Sequence, residues 1–217
     1  MMRRSLRWGF VLAVSLSAIA CGMGPKLARV PKTPDIIIKA DEVYLEGEEQ
    51  ERDLALKYYK NLEAIIAEVR SVYPVEGFEF FERQVGFFKG PKGEQGSYLG
   101  LGAFTEERFD TSTTNRNKRV ATMFGKYGKH LLEILANQEE VLEDARLKGF
   151  KLYLTYWKKN VAKQLYGKGE TEWVEFYLSK EDVRSYLAKD ITDQDLLDRN
   201  SVFMESGRVK ILMGEAL

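Results

Sequence analysis

An α+β domain is the fold class that this 217-residue sequence predicts, and three observations carry the prediction. From Tyr98 to the C-terminus, apolar residues recur first at two-residue and then at three- and four-residue spacings, in turn, which are the marks of strands and amphipathic helices. Ahead of that region, Leu54, Tyr58, Leu62, Ile65, Ile66, Val69 and Val72 form one stripe at helical steps. The composition supplies a core: 44% of residues are hydrophobic and 12% aromatic, with no internal repeat or low-complexity tract among them.

The chain opens with Arg3, Arg4 and Arg7, an apolar run from Trp8 to Ile19, and then Ala20, Cys21 and Gly22. A basic segment, roughly a dozen apolar residues and a small-residue break form the pattern of a secretory signal. The run is too short to span a bilayer as a helix, which takes about 20 apolar residues. Ala18-Ile19-Ala20-Cys21 resembles the lipobox of bacterial lipoproteins, in which a lipid joins the cysteine thiol and the chain is cleaved in front of it. That resemblance implies a signal peptide over residues 1–20 and lipid attachment at Cys21. Gly22, rather than aspartate, follows the cysteine, which by the same resemblance points to the outer membrane, facing the periplasm. Cys21 is the only cysteine, so it has no partner for an internal disulfide, and acylation removes the liability of a free exported thiol. Arg3-Arg4-Ser5-Leu6-Arg7 also partly resembles a twin-arginine export signal.

Pro25, Pro31 and Pro34 exclude regular structure from residues 21–35, which read as a tether. Fully extended, such a linker advances about 3.1 Å per residue. Ile36-Ile37-Ile38 is a candidate short strand. The acidic segment from Glu46 to Glu51 then suits the positive end of the dipole of the Leu54 helix, which ends before Pro74. Phe78, Phe80, Phe81, Phe87 and Phe88 crowd around Gly86 and read as a plug for one end of the core. Residues 36–97 are thus expected to pack, as a helix and a Phe-rich segment, on a core built by residues 98–217. The loop Gly90-Pro91-Lys92-Gly93-Glu94-Gln95-Gly96 lacks the G-x-x-x-x-G-K-[ST] spacing of a phosphate-binding loop.

Leu99, Leu101 and Ala103 alternate with Tyr98, Gly100, Gly102 and Phe104, which predicts a strand whose glycines let another group approach its backbone. The capping-rich run Asp110-Thr111-Ser112-Thr113-Thr114 precedes a helix striped by Val120, Met123, Phe124, Tyr127, Leu131, Ile134 and Leu135. Phe150, Leu152, Leu154 and Tyr156 alternate with Lys151, Tyr153, Thr155 and Trp157, and Val174, Phe176 and Leu178 with Trp173, Glu175 and Tyr177, as in a hairpin with a long connection. Ser179-Lys180-Glu181-Asp182 and Thr192-Asp193-Gln194-Asp195 read as capped helix starts. Ser206-Gly207 reads as a tight turn between two last strands.

This order matches the split β-α-β unit of ferredoxin-like folds, with the Leu54 helix added and the helices on one face of an antiparallel or mixed sheet. The alternative is an OmpA-like α/β domain, because Leu178-Ser179 and a following helix with Leu187 resemble its peptidoglycan-binding motif over about ten residues. This chain departs from that motif in having Asp182 where its arginine stands and Val183 where its alanine stands.

Catalytic signals are sparse. His130 is the only histidine, no G-x-S-x-G elbow accompanies it, and multi-histidine metal sites are excluded. No metal or cofactor is predicted. Thr113, Thr114, Arg116 and Arg119 cluster at a helix start, where free N–H groups and arginine forks favour an anion or an acidic partner. Tyr153, Trp157, Trp173 and Tyr177, with Tyr156 beside them, form a candidate aromatic surface. Basic and acidic residues number 33 each, and three arginines belong to the signal, so the remainder is acidic by three and offers no footprint for nucleic acid. The expectation is a lipid-anchored envelope lipoprotein with a non-catalytic binding, scaffolding or assembly role, whose partners are the membrane and another envelope protein or peptidoglycan. The alternative is an anchored hydrolase using paired carboxylates.

Overall fold

Glu49 and Glu51 at one end and Lys57 at the other complement the dipole of the first helix, α1 (Glu49–Lys57). After Tyr58 leaves helical geometry, α2 (Tyr59–Val72) continues the same stripe, and Leu54, Tyr58, Leu62, Ile65 and Val69 are all buried. The expected single helix is therefore two, hinged at Tyr58, whose hydroxyl donates to Asp144 at 3.0 Å. The computed structural model describes residues 48–73, 77–92, 94–159 and 169–213, all within a unit running from Ile38 to Leu217. The signal peptide, Cys21, the tether and residues 36–38 lie outside the described residues.

The Phe-rich segment is a strand of the sheet, β1 (Phe78–Lys89), whose Phe78 and Phe87 are buried in the core. It pairs antiparallel with β2 (Ser97–Asp110), and a shift of register between Phe81 and Gly86 separates two well-paired stretches. That irregularity inserts extra residues on one strand. It breaks the two-residue period, so the phenylalanines show no clean alternation in sequence.

Asn115 caps α3 (Arg116–Met123) by accepting from the Lys118 N–H at 2.8 Å. A π-helical turn (Phe124–Gly128) joins it to α4 (Lys129–Ala136), and the short α5 (Glu139–Leu142) follows. The long hairpin is present as β3 (Leu147–Lys159) and β4 (Glu170–Ser179). Ser179 caps α6 (Lys180–Leu187) and Thr192 opens α7 (Asp193–Arg199) with a reciprocal capping box, as predicted. Gly207, at φ +98°, makes the turn from β5 (Ser201–Met204) to β6 (Gly207–Val209).

The six strands are ordered β1-β2-β3-β4-β5-β6, every pair antiparallel except β2 with β3. The α+β class, the mixed sheet and the added N-terminal helices hold. The ferredoxin-like order does not: in a split β-α-β unit another strand separates the parallel pair, whereas here β2 and β3 bond to each other directly. The reason is that β4 folds back onto the free side of β3, leaving no strand to enter between.

Leu99, Leu101 and Ala103 of β2, Phe150, Leu152 and Leu154 of β3, and Val174, Phe176 and Leu178 of β4 point to one side of the sheet. There they join Leu62, Ile65, Val120, Met123, Phe124, Leu131, Leu135, Val183 and Leu196 from the helices in a single core. Phe124 lies 5.4 Å from Phe176, centroid to centroid. Burying each such side chain contributes about 1.5–3 kcal/mol.

Candidate functional site

Because side chains alternate along a strand, committing one face to the helices leaves the other for a different use. On that second face Tyr153 lies opposite Glu175, Thr155 opposite Trp173, and Lys151 opposite Tyr177. Tyr153 and the diagonal Trp173 stack at 5.7 Å, and Trp157 meets Phe104 edge-on at 5.5 Å. Tyr177 is flanked edge-on by Tyr98 at 5.3 Å and by Phe203 at 5.9 Å. All four residues of the candidate aromatic surface therefore share one face. Tyr156 does not: it points to the core and is fully buried. Phe88 and Phe203 were not legible as members, since β1 is bulged and β5 is only four residues long.

One ion pair crosses this aromatic field. Lys151 Nζ lies 2.7 Å from Glu175, with the two side chains 17% and 18% exposed. The same ammonium sits 4.6 Å from the Phe88 centroid and 5.4 Å from that of Tyr177, within cation–π range. A Cβ on Gly100 would meet the Lys151 Cβ at 2.7 Å, and one on Gly102 would fall within the Gln84 side chain. The bare glycine backbone is thus the bed on which Lys151 and Gln84 lie, and Gln84 Oε1 is buried there with no hydrogen-bond partner. Burial first, and the neighbouring Glu175 charge second, push the Tyr177 hydroxyl well above its ordinary value. Burial and the hydrogen bond to Glu94 do the same to Tyr98, so both phenols stay neutral.

The predicted anion cluster is organised differently. The Thr113 and Thr114 N–H groups donate to the Asp110 carbonyl at 3.1 and 2.8 Å, and Asn115 supplies the helix cap. Arg116 is exposed to solvent. Arg119 turns inward: its Nε donates to Glu172 Oε2 at 2.8 Å, one terminal nitrogen to Oε1 at 3.1 Å, and the other to the Thr114 carbonyl at 2.8 Å. With side chains only 9% and 10% exposed, Arg119 and Glu172 satisfy each other, and Arg119 is not available to an outside anion. The Tyr156 hydroxyl completes the cluster by donating to Glu172 at 2.6 Å. Burial by itself would raise the Glu172 carboxyl, but hydrogen bonds from Arg119 and Tyr156 and the charges of Arg119 and Lys158 outweigh it and hold the group below its usual value.

His130 is exposed on α4, 5.7 Å from the Tyr73 ring, as a helix-flank histidine would be. Asp182 accepts from the Ser179 hydroxyl at 2.7 Å and from Asn200 at 3.0 Å, so the peptidoglycan-motif position serves helix capping. Among the described residues, no group of three or more His, Cys, Asp or Glu is placed to hold a metal ion, and no helix is long and apolar enough to cross a membrane. In comparisons with known proteins, no family model matches the chain, and neither a curated protein nor a solved structure matches it.

Proposed function

We propose that the chain is a lipid-anchored lipoprotein of the cell envelope, held by Cys21 in the outer membrane on its periplasmic side. Its role is non-catalytic binding, scaffolding or assembly, and the aromatic face of the sheet is the surface it binds with. The carrying observation is the second face itself. A sheet face not committed to the helical core normally carries polar residues, yet half-buried Phe88, Phe104, Tyr153, Trp157, Trp173 and Phe203 lie along this one around buried Tyr98 and Tyr177. Contiguous apolar surface of this kind marks an interaction site. The lipobox-like Ala18-Ile19-Ala20-Cys21 supports the anchor, since acyl chains acting together give stable membrane attachment where one chain does not.

Two measurements test the reading. Cys21→Ser should leave the precursor unprocessed or release the protein from the membrane fraction, and should abolish labelling by palmitate analogues. A Cys21→Ser variant processed, labelled and retained like the natural protein would remove the anchor from the proposal. Trp157→Ala with Trp173→Ala should weaken association of the protein with its envelope partner while leaving membrane retention unchanged; undiminished association would remove the aromatic face.

A further inference from the structure

We propose that α1 is a latch, a helix docked by few apolar contacts over a buried charge that its release relieves, so that it opens about Tyr58 while α2 stays in place. The inward stripe of the helix carries the argument. Glu51, Leu54, Ala55 and Tyr58 follow at helical steps and are all buried, so a carboxylate occupies a place where a core-facing helix has an apolar residue. Glu51 is only 6% exposed. Its Oε1 accepts from the Ser97 hydroxyl at 2.7 Å, and that hydroxyl in turn accepts from the Gln50 amide at 2.8 Å. Its Oε2 is the only carboxylate oxygen among the described residues that is buried without a hydrogen-bond partner. Lys89 of β1 gives its hydrogen bond to Glu48 instead, at 2.6 Å. Taking a carboxylate out of water while leaving one of its oxygens unpaired works against docking.

The forces that hold α1 down are modest. Within it only Leu54 and Ala55 are buried apolar residues, and Leu56 is exposed. The Glu48–Lys89 pair is exposed at both ends and the Lys57–Asp144 pair at the lysine, and exposed pairs contribute little. By contrast α2 buries Leu62, Ile65 and Val69, with Ile66 and Val72 packed beside them, and buries no charged side chain. The joint between the two helices is already formed. At Tyr58, φ −108° and ψ 26° depart from helical geometry, while its ring, 6.0 Å from that of Phe87, and its hydroxyl on Asp144 keep it on the core. Release uncovers Ser97 at the start of β2 and turns the nine residues of α1 into chain that reaches about 30 Å, at about 3.3 Å per residue. In a chain anchored at Cys21, as proposed above, that length is added between the anchor and the sheet; this consequence rests on the anchor, and the latch does not.

Native-state hydrogen exchange of the full-length chain in a non-ionic detergent tests the latch residue by residue. The amides of Ala55, Leu56 and Lys57 should be protected at least about tenfold less than those of Ile65, Ile66 and Val69, as a unit that opens below global unfolding is. Glu51→Gln removes the charge and keeps an acceptor for Ser97. It should raise protection in α1 about tenfold and leave α2 unchanged, since a buried charge costs more than a buried amide. Ser97→Ala leaves both carboxylate oxygens without a partner and should lower protection by about the same factor, again in α1 alone.

Equal protection of the two helices overturns the latch, because they then open as one body. So does a Glu51→Gln chain whose α1 is no better protected than the natural one, since the carboxylate would then hold the helix down rather than strain it. A change that spreads to α2 in either variant counts the same way. The fate of Cys21→Ser and of the aromatic face is independent of all these outcomes.

Discussion

Arg119 of α3 and Glu172 of β4 form a two-pronged ion pair that ties the helical layer to the sheet, and Tyr156 on the neighbouring strand seals it. Removing one partner of a buried pair leaves the other charged and uncompensated, at a cost of about 3–5 kcal/mol. Arg119→Gln is therefore expected to lower unfolding stability by about 3 kcal/mol, whereas Arg116→Gln, at an exposed position, stays within about 0.5 kcal/mol. Urea denaturation of the two variants checks the contrast. Equal and small effects would show that the pair contributes little.

Acid should weaken the fold chiefly through the two shielded carboxylates, Glu172 and Asp144, since the capping Asp195, also held low, lies at the surface. Glu172 is held below its ordinary value as described, and Asp144 is held low chiefly by the Arg146 side chain, with the Arg146 N–H, Lys57 and Tyr58 adding to it against the opposing effect of burial. A folded-state value below the unfolded one contributes stability that is full above the unfolded value and is lost as the pH falls through the folded one. Stability is expected to be level above about pH 5 and to decline below the ordinary glutamate value of 4.5, with Asp144 extending the decline to lower pH. Glu172→Gln and Asp144→Asn should each flatten that decline while lowering stability at neutral pH. Denaturation midpoints measured from pH 7 to pH 3 decide it.

Gly149 of β3 leaves no room for a side chain against β4: an added Cβ would lie 2.0 Å from the Leu178 carbonyl oxygen. That atom belongs to the backbone ladder and has no rotamer by which to move away. Gly149→Ala should cost about 1–3 kcal/mol by overpacking. A thermal midpoint equal to that of the natural chain would show that the two strands separate more readily than their pairing implies.

Lys151 and Glu175 are largely but not wholly withdrawn from water. Glu175→Gln alone should cost about 2 kcal/mol, between the surface and buried limits for a broken pair. Lys151→Met combined with Glu175→Leu should recover most of that loss, because apolar replacements of a shielded pair are often neutral. The coupling in a double-mutant cycle is the number to measure, and additive effects would mean that the two side chains do not sense each other.

The elements legible in sequence were those whose period is unbroken. β3 and β4 are readable from the alternation of Phe150–Trp157 and Trp173–Leu178, although Tyr156, set beside the aromatic surface in sequence, belongs to the core side. The caps at Ser179 and Thr192 were readable because a hydroxyl and an acid three residues apart carry their own mechanism. β1 was not, since its irregular register divides the phenylalanines into two sets. Arg119 was legible as a helix-start arginine but not as the mate of Glu172, because a partner 53 residues away is set by packing and leaves no trace in local spacing. Strand order was misread for the same reason: strand–helix–strand describes both a split and a direct parallel pair, and only the side on which β4 returns separates them.

Position in the sheet runs in step with position in the chain, β1 at one edge and β6 at the other. For a polypeptide that emerges N-terminus first from the ribosome, each newly released strand finds its template already formed and waiting. No strand has to be threaded between two that have already joined. The one long wait is for β3, which must follow residues 111–146 before it aligns with β2; once it does, everything after it is added in order at the growing edge.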